Sequence, residues 1–418
     1  MPDLQAHSTA MGQKAGEKWT AAVDLQPTFP KSDRLQGIAA IAVSALCGTE
    51  PLSAASRVAR NLGPDSSQAP VLLVYTSGTT GKPQGAVHTQ ANLLANIAAA
   101  ASTQLMRRSD TIATVLPMFH VGGLCIQTLP ALSVGAHVIV HPRFDAGAVL
   151  ECFAQDRPTL SLLVPATMRA LIEHPLWGRT DLSALREVWA GSSLLPRALI
   201  EAFHARGVPV CNVYGATETG PFSIALRRKY ARSHLGSCGW PTLGVQVRLH
   251  DESLGVGELL LRGPAVVATY WPDTPALDDE GWFHSGDLAQ RGADGSFTVV
   301  GRASDRIITG GENVYPAEVE LLLAEHPALA ECAVLGLPDE AWGEAIVAAV
   351  VLRPNCTVSD AELNALLAKK LARYKLPRQY VRLGALPRTA LGKVQKAELA
   401  ALLMNAQTDT LAGTHASP

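Results

Sequence analysis

Aromatic residues are scarce in this chain, at 5% of 418 residues, and Asp, Glu, Lys and Arg together reach only 17%. Long apolar runs are missing as well. The stretch from Ile38 to Cys47 falls far short of the roughly 20 residues a helix needs to span a bilayer, so no stable membrane insertion is expected. The opening residues have no continuous apolar segment of the kind that marks a secretory leader, and no targeting peptide is expected. Neither sign of charge dominates: 35 Lys and Arg stand against 37 Asp and Glu, a net charge of -2. Bulk electrostatics therefore gives no drive towards nucleic acid or anionic lipid, and a bound polyanion has to be held by local geometry. The seven cysteines are scattered, odd in number and without a C-x-x-C pair. That excludes a disulfide framework or thiolate metal site as a reading of their spacing, and fits a reducing, cytoplasmic location.

What the chain does have is 47% hydrophobic residues, 35 Gly and 27 Pro. This is the composition of a globular, loop-rich protein, and at roughly 150 residues per domain it predicts two or three domains. Residues 1 to about 68 hold one Ala-rich helical stretch among polar and Pro/Gly punctuation. From Val71 onwards, strand-like runs alternate with amphipathic helical patterns: VLLVY, TIATVLPMF, HVIVHP, LSLLVP, EVWAG and VPVCNVYG. Thr89 is placed to cap the helix after AVH, and another helix is expected from about Val121. This rhythm predicts doubly wound α/β units. After about Gly236 the pattern changes to consecutive short strands, GELLLRG, VVATYW, HSGDLAQR and SFTVVGR, which read as a mostly antiparallel β lobe. From about Asp305 to Leu403, helices and strands mix again, including a helix over NALLAKKLARY, and predict a small α+β domain. Residues 406–418 are expected to form a frayed tail.

One segment stands out chemically. Tyr75-Thr-Ser-Gly-Thr-Thr-Gly-Lys-Pro-Gln-Gly85 packs hydroxyls and glycines between an apolar strand and a helix. Glycines let backbone N–H groups approach an anion, hydroxyls add donors and Lys82 adds a point charge, so Thr76, Ser77, Gly78, Thr79, Thr80, Gly81 and Lys82 suit a phosphate chain. It is not a Walker A loop, because Gly78 and Gly81 enclose two residues and Pro83 follows Lys82.

Together with four further segments, this loop resembles the signatures of the adenylate-forming superfamily, which includes acyl-CoA synthetases, carrier-protein adenylation domains and luciferase-like enzymes. The others are Val213-Tyr-Gly-Ala-Thr-Glu-Thr-Gly220, His284-Ser-Gly-Asp287, Gly301-Arg302 with Gly310-Gly-Glu-Asn-Val-Tyr-Pro316, and Pro387-Arg-Thr-Ala-Leu-Gly-Lys393. They occur in the family's order, and the resemblance covers about Val71 to Lys396. It implies a large domain over 1–303 with its β lobe at about 236–303, and a small mobile domain over 304–405.

The resemblance also implies roles. The Tyr214 position stacks on adenine, with Gly215 beside it; Thr217 contacts the α-phosphate; Glu218 helps hold Mg²⁺, as a hard cation asks of an oxygen ligand. Taken alone, Glu218 could equally be an acid favoured at a helix N-terminus. Asp287 takes the ribose hydroxyls, although a lone Asp in Ser-Gly-Asp could be a turn residue. Arg302 contacts the nucleotide beside the interdomain hinge, where Ser304 or Asp305 is the pivot. Lys393, by itself an ordinary solvated lysine, becomes the cation that offsets the repulsion between attacking carboxylate and α-phosphate. His120, in Leu116-Pro-Met-Phe-His-Val-Gly-Gly-Leu124, takes the acyl-gate position; read without the family it is a structural histidine. Val164-Pro-Ala-Thr167 and Ala190-Gly191-Ser192-Ser-Leu194 resemble the segments lining the acyl and adenine pockets, and Gly310 and Gly311 border the pantetheine channel. His137 and His141 alternate with apolar residues on one strand, a pair read as structural for want of a third ligand.

The expected activity is that of an acid–CoA ligase using ATP, Mg²⁺ and coenzyme A. No Arg or Lys falls in the lining segments, which favours a fatty or aromatic carboxylic acid. A carrier-protein-loading enzyme and a catalytically weak nucleotide-binding module are the alternatives. Relative to the family, the phosphate loop stands early in the chain. This leads to the expectation of a homodimer or partner chain covering an apolar face.

Overall fold

The computed structural model describes residues 67–76, 84–192, 194–253, 255–388 and 394–404. The Ala-rich stretch, Ser77 to Lys82, Lys393 and the C-terminal tail lie outside the described residues. Strands β1 (Pro70–Thr76) and β2 (Gln84–Thr89) flank the phosphate-loop segment. Helix α1 (Gln90–Thr103) follows directly, and Thr89 caps it as expected. The Thr89 hydroxyl accepts the Asn92 N–H at 3.2 Å and Asn92 Oδ1 accepts the Thr89 N–H at 3.0 Å. This reciprocal arrangement satisfies two donors that a helix start leaves orphaned. Asn92 Nδ2 also donates to Pro264 O at 2.8 Å, tying α1 to a segment far along the chain.

Next come β3 (Thr111–Thr114), a single turn α2 (Val121–Gly123), a π-helical turn over Leu124–Thr128, and α3 (Leu129–Ser133). The alternation continues with β4 (His137–Val140), α4 (Ala146–Gln155), β5 (Leu160–Leu163) and α5 (Pro165–Glu173). It ends with β6 (Glu187–Gly191), α6 (Arg197–Ala205), β7 (Val210–Tyr214), β8 (Ile224–Ala225) and β9 (Trp240–Pro241). These strands form one seven-stranded sheet in the order β4-β3-β5-β6-β7-β8-β9, parallel from β4 through β7. Every residue of β5 and β6 is buried, as a parallel strand covered on both faces requires. One face buries Phe153, Met168, Leu171, Ile200 and Phe203 from α4, α5 and α6. The opposite face buries Ala100 of α1 and Ala131 of α3 with Trp189, Leu160 and Phe222. Because β3 pairs with both β4 and β5, the chain reverses its winding direction there. The carboxyl ends of the strands beside such a reversal are where open α/β sheets bind ligands.

The β lobe is a four-stranded antiparallel sheet of β10 (Gln246–Ser253), β11 (Val256–Arg262), β14 (Phe283–Arg291) and β15 (Phe297–Arg302). One expected member does not join it. Strand β12 (Thr269–Trp271), from the VVATYW run, pairs with β13 (Thr274–Pro275) and with β2, Tyr270 opposite Ala86. Its reason lies in the preceding residues, where Val267 N–H is captured by Glu218 O at 2.8 Å and Val266 O by Asn92 Nδ2 at 3.1 Å.

The remaining chain builds a five-stranded sheet of β16 (Ile307–Thr309), β17 (Glu312–Val314), β18 (Leu329–Asp339), β19 (Gly343–Leu352) and β20 (Gln379–Arg382), packed by α7 (Pro316–Leu323) and α8 (Asp360–Leu367). The helix expected through NALLAKKLARY stops early, at Leu367. Its last carbonyl is taken by two turn bonds, from Lys370 N–H at 3.0 Å and Leu371 N–H at 2.9 Å, while Lys370 Nζ reaches Glu325 at 2.9 Å. Among the described residues no helix is long and apolar enough to cross a membrane.

Candidate active site

Strand β7 ends in Tyr214, and the chain turns through Gly215 into a 3-10 turn over Thr217–Thr219. Gly215 is required by space rather than by dihedral freedom: a Cβ there would stand 2.5 Å from the Pro221 carbonyl. Ala216 N–H is held by Thr219 Oγ1 at 3.0 Å, which fixes the turn. The Tyr214 hydroxyl donates to Asp287 Oδ2 at 2.8 Å, and Arg302 Nε meets Asp287 Oδ1 at 2.9 Å. Asp287 and Arg302 are register partners on β14 and β15, so sheet pairing itself brings the two charges together. Three residues from three separate sequence signatures thus converge on one largely buried carboxylate. Burial, then the Asp287 charge, pushes the Tyr214 phenol far above its ordinary range, so it remains a proton donor.

Glu218 is buried and accepts the Tyr270 hydroxyl at Oε1, 3.0 Å. Burial first, and then the Glu218 charge, raises the Tyr270 pKa, so this phenol is a fixed neutral donor. Tyr270 was not foreseen from sequence; only the pairing of β12 with β2 reveals it. Beneath the same turn lies His88 of β2, fully buried, with the Thr217 backbone as a polar neighbour and, among the described residues, no close, well-aligned hydrogen bond at either ring nitrogen. Burial drives its pKa down to about 4, opposed by the nearby Thr217 backbone, so the ring is neutral. Thr217 itself is half-buried at the start of the turn.

At the mouth of the phosphate-loop segment, Thr76 Oγ1 donates to Gln84 O at 3.3 Å. Gly191 is the buried last residue of β6 and pairs with Val213 of β7. Ser192, exposed just beyond it, adopts a left-handed backbone with φ of 73°. A non-glycine residue in that region carries roughly 1 kcal/mol of strain or more, of the kind that concentrates at ligand sites. His120 is the N-cap of α2, its Nδ1 accepting the Gly122 N–H at 3.0 Å. A neutral His120 ring therefore carries its proton on Nε2. The structural role is met, and it leaves the second ring nitrogen as the donor. Phe119, beside it, is 74% exposed.

Gly310 and Gly311 form the turn of the β16–β17 hairpin, with Gly310 against the ring of Trp342. Ser304 and Asp305 lie in a 3-10 turn after Arg302, and Asp305 Oδ2 is held by Lys396 Nζ at 2.7 Å. His137 is exposed on β4, while His141 falls one residue past that strand. Among the described residues no group of three or more His, Cys, Asp or Glu side chains is arranged to hold a metal. Glu218 as a lone carboxylate fits Mg²⁺, which ordinarily takes one or two protein carboxylates and completes its shell with phosphate oxygens and water.

The sequence model of the family described as AMP-binding enzyme matches residues 11–271, and that of the AMP-binding enzyme C-terminal domain matches residues 318–393. This chain belongs to the AMP-binding enzyme family. It is 45% identical over 345 residues to an indoleacetate–CoA ligase of Aromatoleum aromaticum, spanning 80% of this chain and 68% of that one. It is 39% identical to a feruloyl-CoA synthase of an Amycolatopsis species, over 78% of this chain and 69% of the relative. Among solved structures, the o-succinylbenzoate CoA synthetase of Bacillus subtilis in complex with ATP and a magnesium ion superposes with a TM-score of 0.72 at 33% identity, over 80% of this chain and 70% of that one.

Proposed function

We propose that this protein is an ATP-dependent acid–CoA ligase for an uncharged, aromatic or fatty, carboxylic acid. The observation that carries the reading is the Asp287 carboxylate held by Tyr214 and Arg302 beside the end of a parallel strand in a doubly wound sheet. A relative named as an indoleacetate–CoA ligase shares 45% identity with this chain over 345 residues. The acid's carboxylate attacks the α-phosphate of ATP; an acyl-adenylate forms and pyrophosphate leaves. The CoA thiolate then attacks the acyl carbon, giving the thioester and releasing AMP. Splitting an uphill condensation through a mixed anhydride makes each step feasible.

In this scheme Asp287 and Arg302 hold the ribose end of the nucleotide, Tyr214 presents its ring to the adenine, and Thr217 donates to the α-phosphate. Glu218 would hold Mg²⁺, which when bound screens the triphosphate charge. Tyr270 orients the Glu218 carboxylate without neutralising it. Lys393 meets the two anions as they approach, and Thr76 to Lys82 take the β- and γ-phosphates. Residues 304–405 rotate about the turn after Arg302 between the two steps, and Gly310 and Gly311 border the path of the CoA thiol. Substrate class follows from the segments at the ends of β3, β5 and β6, Leu116 to Leu124, Val164 to Thr167 and Ala190 to Leu194, which carry no Lys, Arg, Asp or Glu. An uncharged wall of this kind favours an uncharged tail, although one methylene changes affinity by only about 1–3 kcal/mol.

The test is pyrophosphate release from purified protein with MgATP and a panel of indole, phenylpropanoid, benzoate and medium-chain fatty acids, with and without CoA. Release that depends on one acid class, with AMP formed only when CoA is present, supports the reading. Lys393→Ala should lose adenylation while still converting supplied acyl-adenylate to thioester. Binding of ATP with no acid-dependent release across the panel would overturn it.

A further inference from the structure

The Ser-Gly-Asp segment is not a plain strand. On β11, Glu258 pairs with Leu288 and Leu260 pairs with His284, so the ladder between β11 and β14 shifts register across Ser285, Gly286 and Asp287. These three residues form a bulge, a device that re-aims a side chain at the cost of ladder hydrogen bonds. Three polar groups of the bulge find partners nearby. Gly286 N–H goes to Glu258 Oε1 at 2.9 Å, the Ser285 hydroxyl donates to Leu259 O at 2.7 Å, and Asp287 N–H goes to Ser285 Oγ at 3.0 Å. Gly286 has φ of 69°, the left-handed conformation that a side chain there would strain. Glu258 Oε2 lies 3.3 Å from His284 Nδ1, whose other nitrogen lies 3.2 Å from Asp278 Oδ2. One half-buried carboxylate therefore grips the bulge at both its glycine and its leading histidine.

We propose that Glu258 is a positioning residue for the ribose contact: it holds the bulge that aims Asp287 at Tyr214 and Arg302, and so sets the enzyme's preference for a nucleotide bearing its ribose hydroxyls. This rests on the ligase reading and on Asp287 as the ribose acceptor. Glu258 touches no reacting atom. Its effect is confined to the direction in which Asp287 points. A general loss of stability would weaken turnover with every nucleotide alike, whereas a loosened bulge weakens only the discrimination that Asp287 provides.

The measurement is kcat/KM for ATP against 3′-deoxyATP, with acid and CoA saturating, in the wild type, Glu258→Ala, Glu258→Gln and an Asp287→Asn control. The wild type should prefer ATP by about tenfold or more, the scale of one hydrogen bond to a charged group. Glu258→Ala should bring that ratio close to one through a raised KM for ATP, with KM for the acid and for CoA unchanged. Glu258→Gln, whose amide oxygen still accepts the Gly286 N–H, should recover part of the preference. If Glu258→Ala does not fold, Glu258→Asp, with its shorter reach, carries the same comparison. A folded Glu258→Ala, or Glu258→Asp in its place, with the wild-type ratio overturns the inference while leaving the ligase reading intact. A wild type that turns over but does not distinguish the two nucleotides overturns Asp287 as ribose acceptor, and the inference with it.

Discussion

His88 makes an acid-sensitive element of the site's foundation, and its size can be worked out. The ring is fully buried on β2 under the Thr217–Thr219 turn, and its pKa is held at about 4. In the unfolded chain the same imidazole titrates near 6.5. Between those values the unfolded chain binds a proton that the folded chain refuses, so stability falls as pH drops through 6.5 and stops falling below about 4. At about 1.36 kcal/mol per pH unit, the full loss is about 3 kcal/mol, of which about 2 kcal/mol is already gone at pH 5. Set against a total of about 5–15 kcal/mol for a folded protein, that is a large fraction.

Replacing His88 with Leu, of similar volume, removes both the titration and a buried polar ring held by no more than a weak contact with the Thr217 backbone. At pH 7.5 the variant should be about as stable as the wild type, since the Thr217 contact it loses is worth at most about 1 kcal/mol and a buried apolar side chain replaces a poorly satisfied polar one. Urea titrations followed by circular dichroism at pH 7.5, 6 and 5 compare the two proteins with every other titrating group held in common. The stability difference should move by about 2 kcal/mol in the variant's favour between pH 7.5 and 5, with unchanged m values. A difference constant to within about 0.5 kcal/mol across that range would refute the reasoning, because it would mean the folded state accommodates the imidazolium.

Three further outcomes are expected. Tyr270→Phe removes the 3.0 Å bond to Glu218 and should lower kcat/KM for MgATP about tenfold while raising the magnesium concentration needed for half-maximal rate; an unchanged magnesium titration would separate Tyr270 from the cation's ligand. Gly215→Ala places a Cβ 2.5 Å from the Pro221 carbonyl and should cost about 1–3 kcal/mol, seen as a lower Tm together with a raised KM for ATP. Because Lys396 ties Asp305 to the residues that follow it, rotation should be taken up at Ser304. Ser304→Pro, which fixes φ near -65°, should slow the CoA-dependent step about tenfold and spare pyrophosphate release, and equal slowing of both would place the pivot elsewhere.

The parallel sheet was legible because strands covered on both faces must be largely apolar, as in LSLLVP and VPVCNVYG, and because Thr89 marks a helix start. Tyr214, Asp287 and Arg302 were legible through their motifs, and sheet register explains why they meet. Partners contributed by a side chain distant in sequence were not. Tyr270 sits in a run indistinguishable by pattern from a lobe strand, and its assignment turned on Asn92 and Glu218 capturing the backbone ahead of it. Glu258 stands ahead of three consecutive buried leucines in GELLL, so no periodicity separates a residue that fills a bulge from one that faces water. The early end of α8 was equally hidden, since Leu363, Leu367 and Leu371 keep helical spacing past the point where the backbone turns away.

Two carboxylates in this site are each gripped by a partly buried tyrosine, Asp287 by Tyr214 and Glu218 by Tyr270. A lysine or arginine in either place would orient the carboxylate more strongly, but it would also neutralise the charge on which a ribose or a cation depends. A phenol donates one proton to one oxygen and leaves the net charge in place. Burial and the neighbouring carboxylate both raise the phenol's pKa, so the donor is never lost near neutral pH. The exception is informative: Asp287 also meets Arg302, whose side chain is 48% exposed where its partner is 12% exposed. A guanidinium that remains half in water screens the carboxylate only partly. It also stands immediately before the turn at Ala303–Asp305, so movement at that turn is transmitted to a charged partner of Asp287.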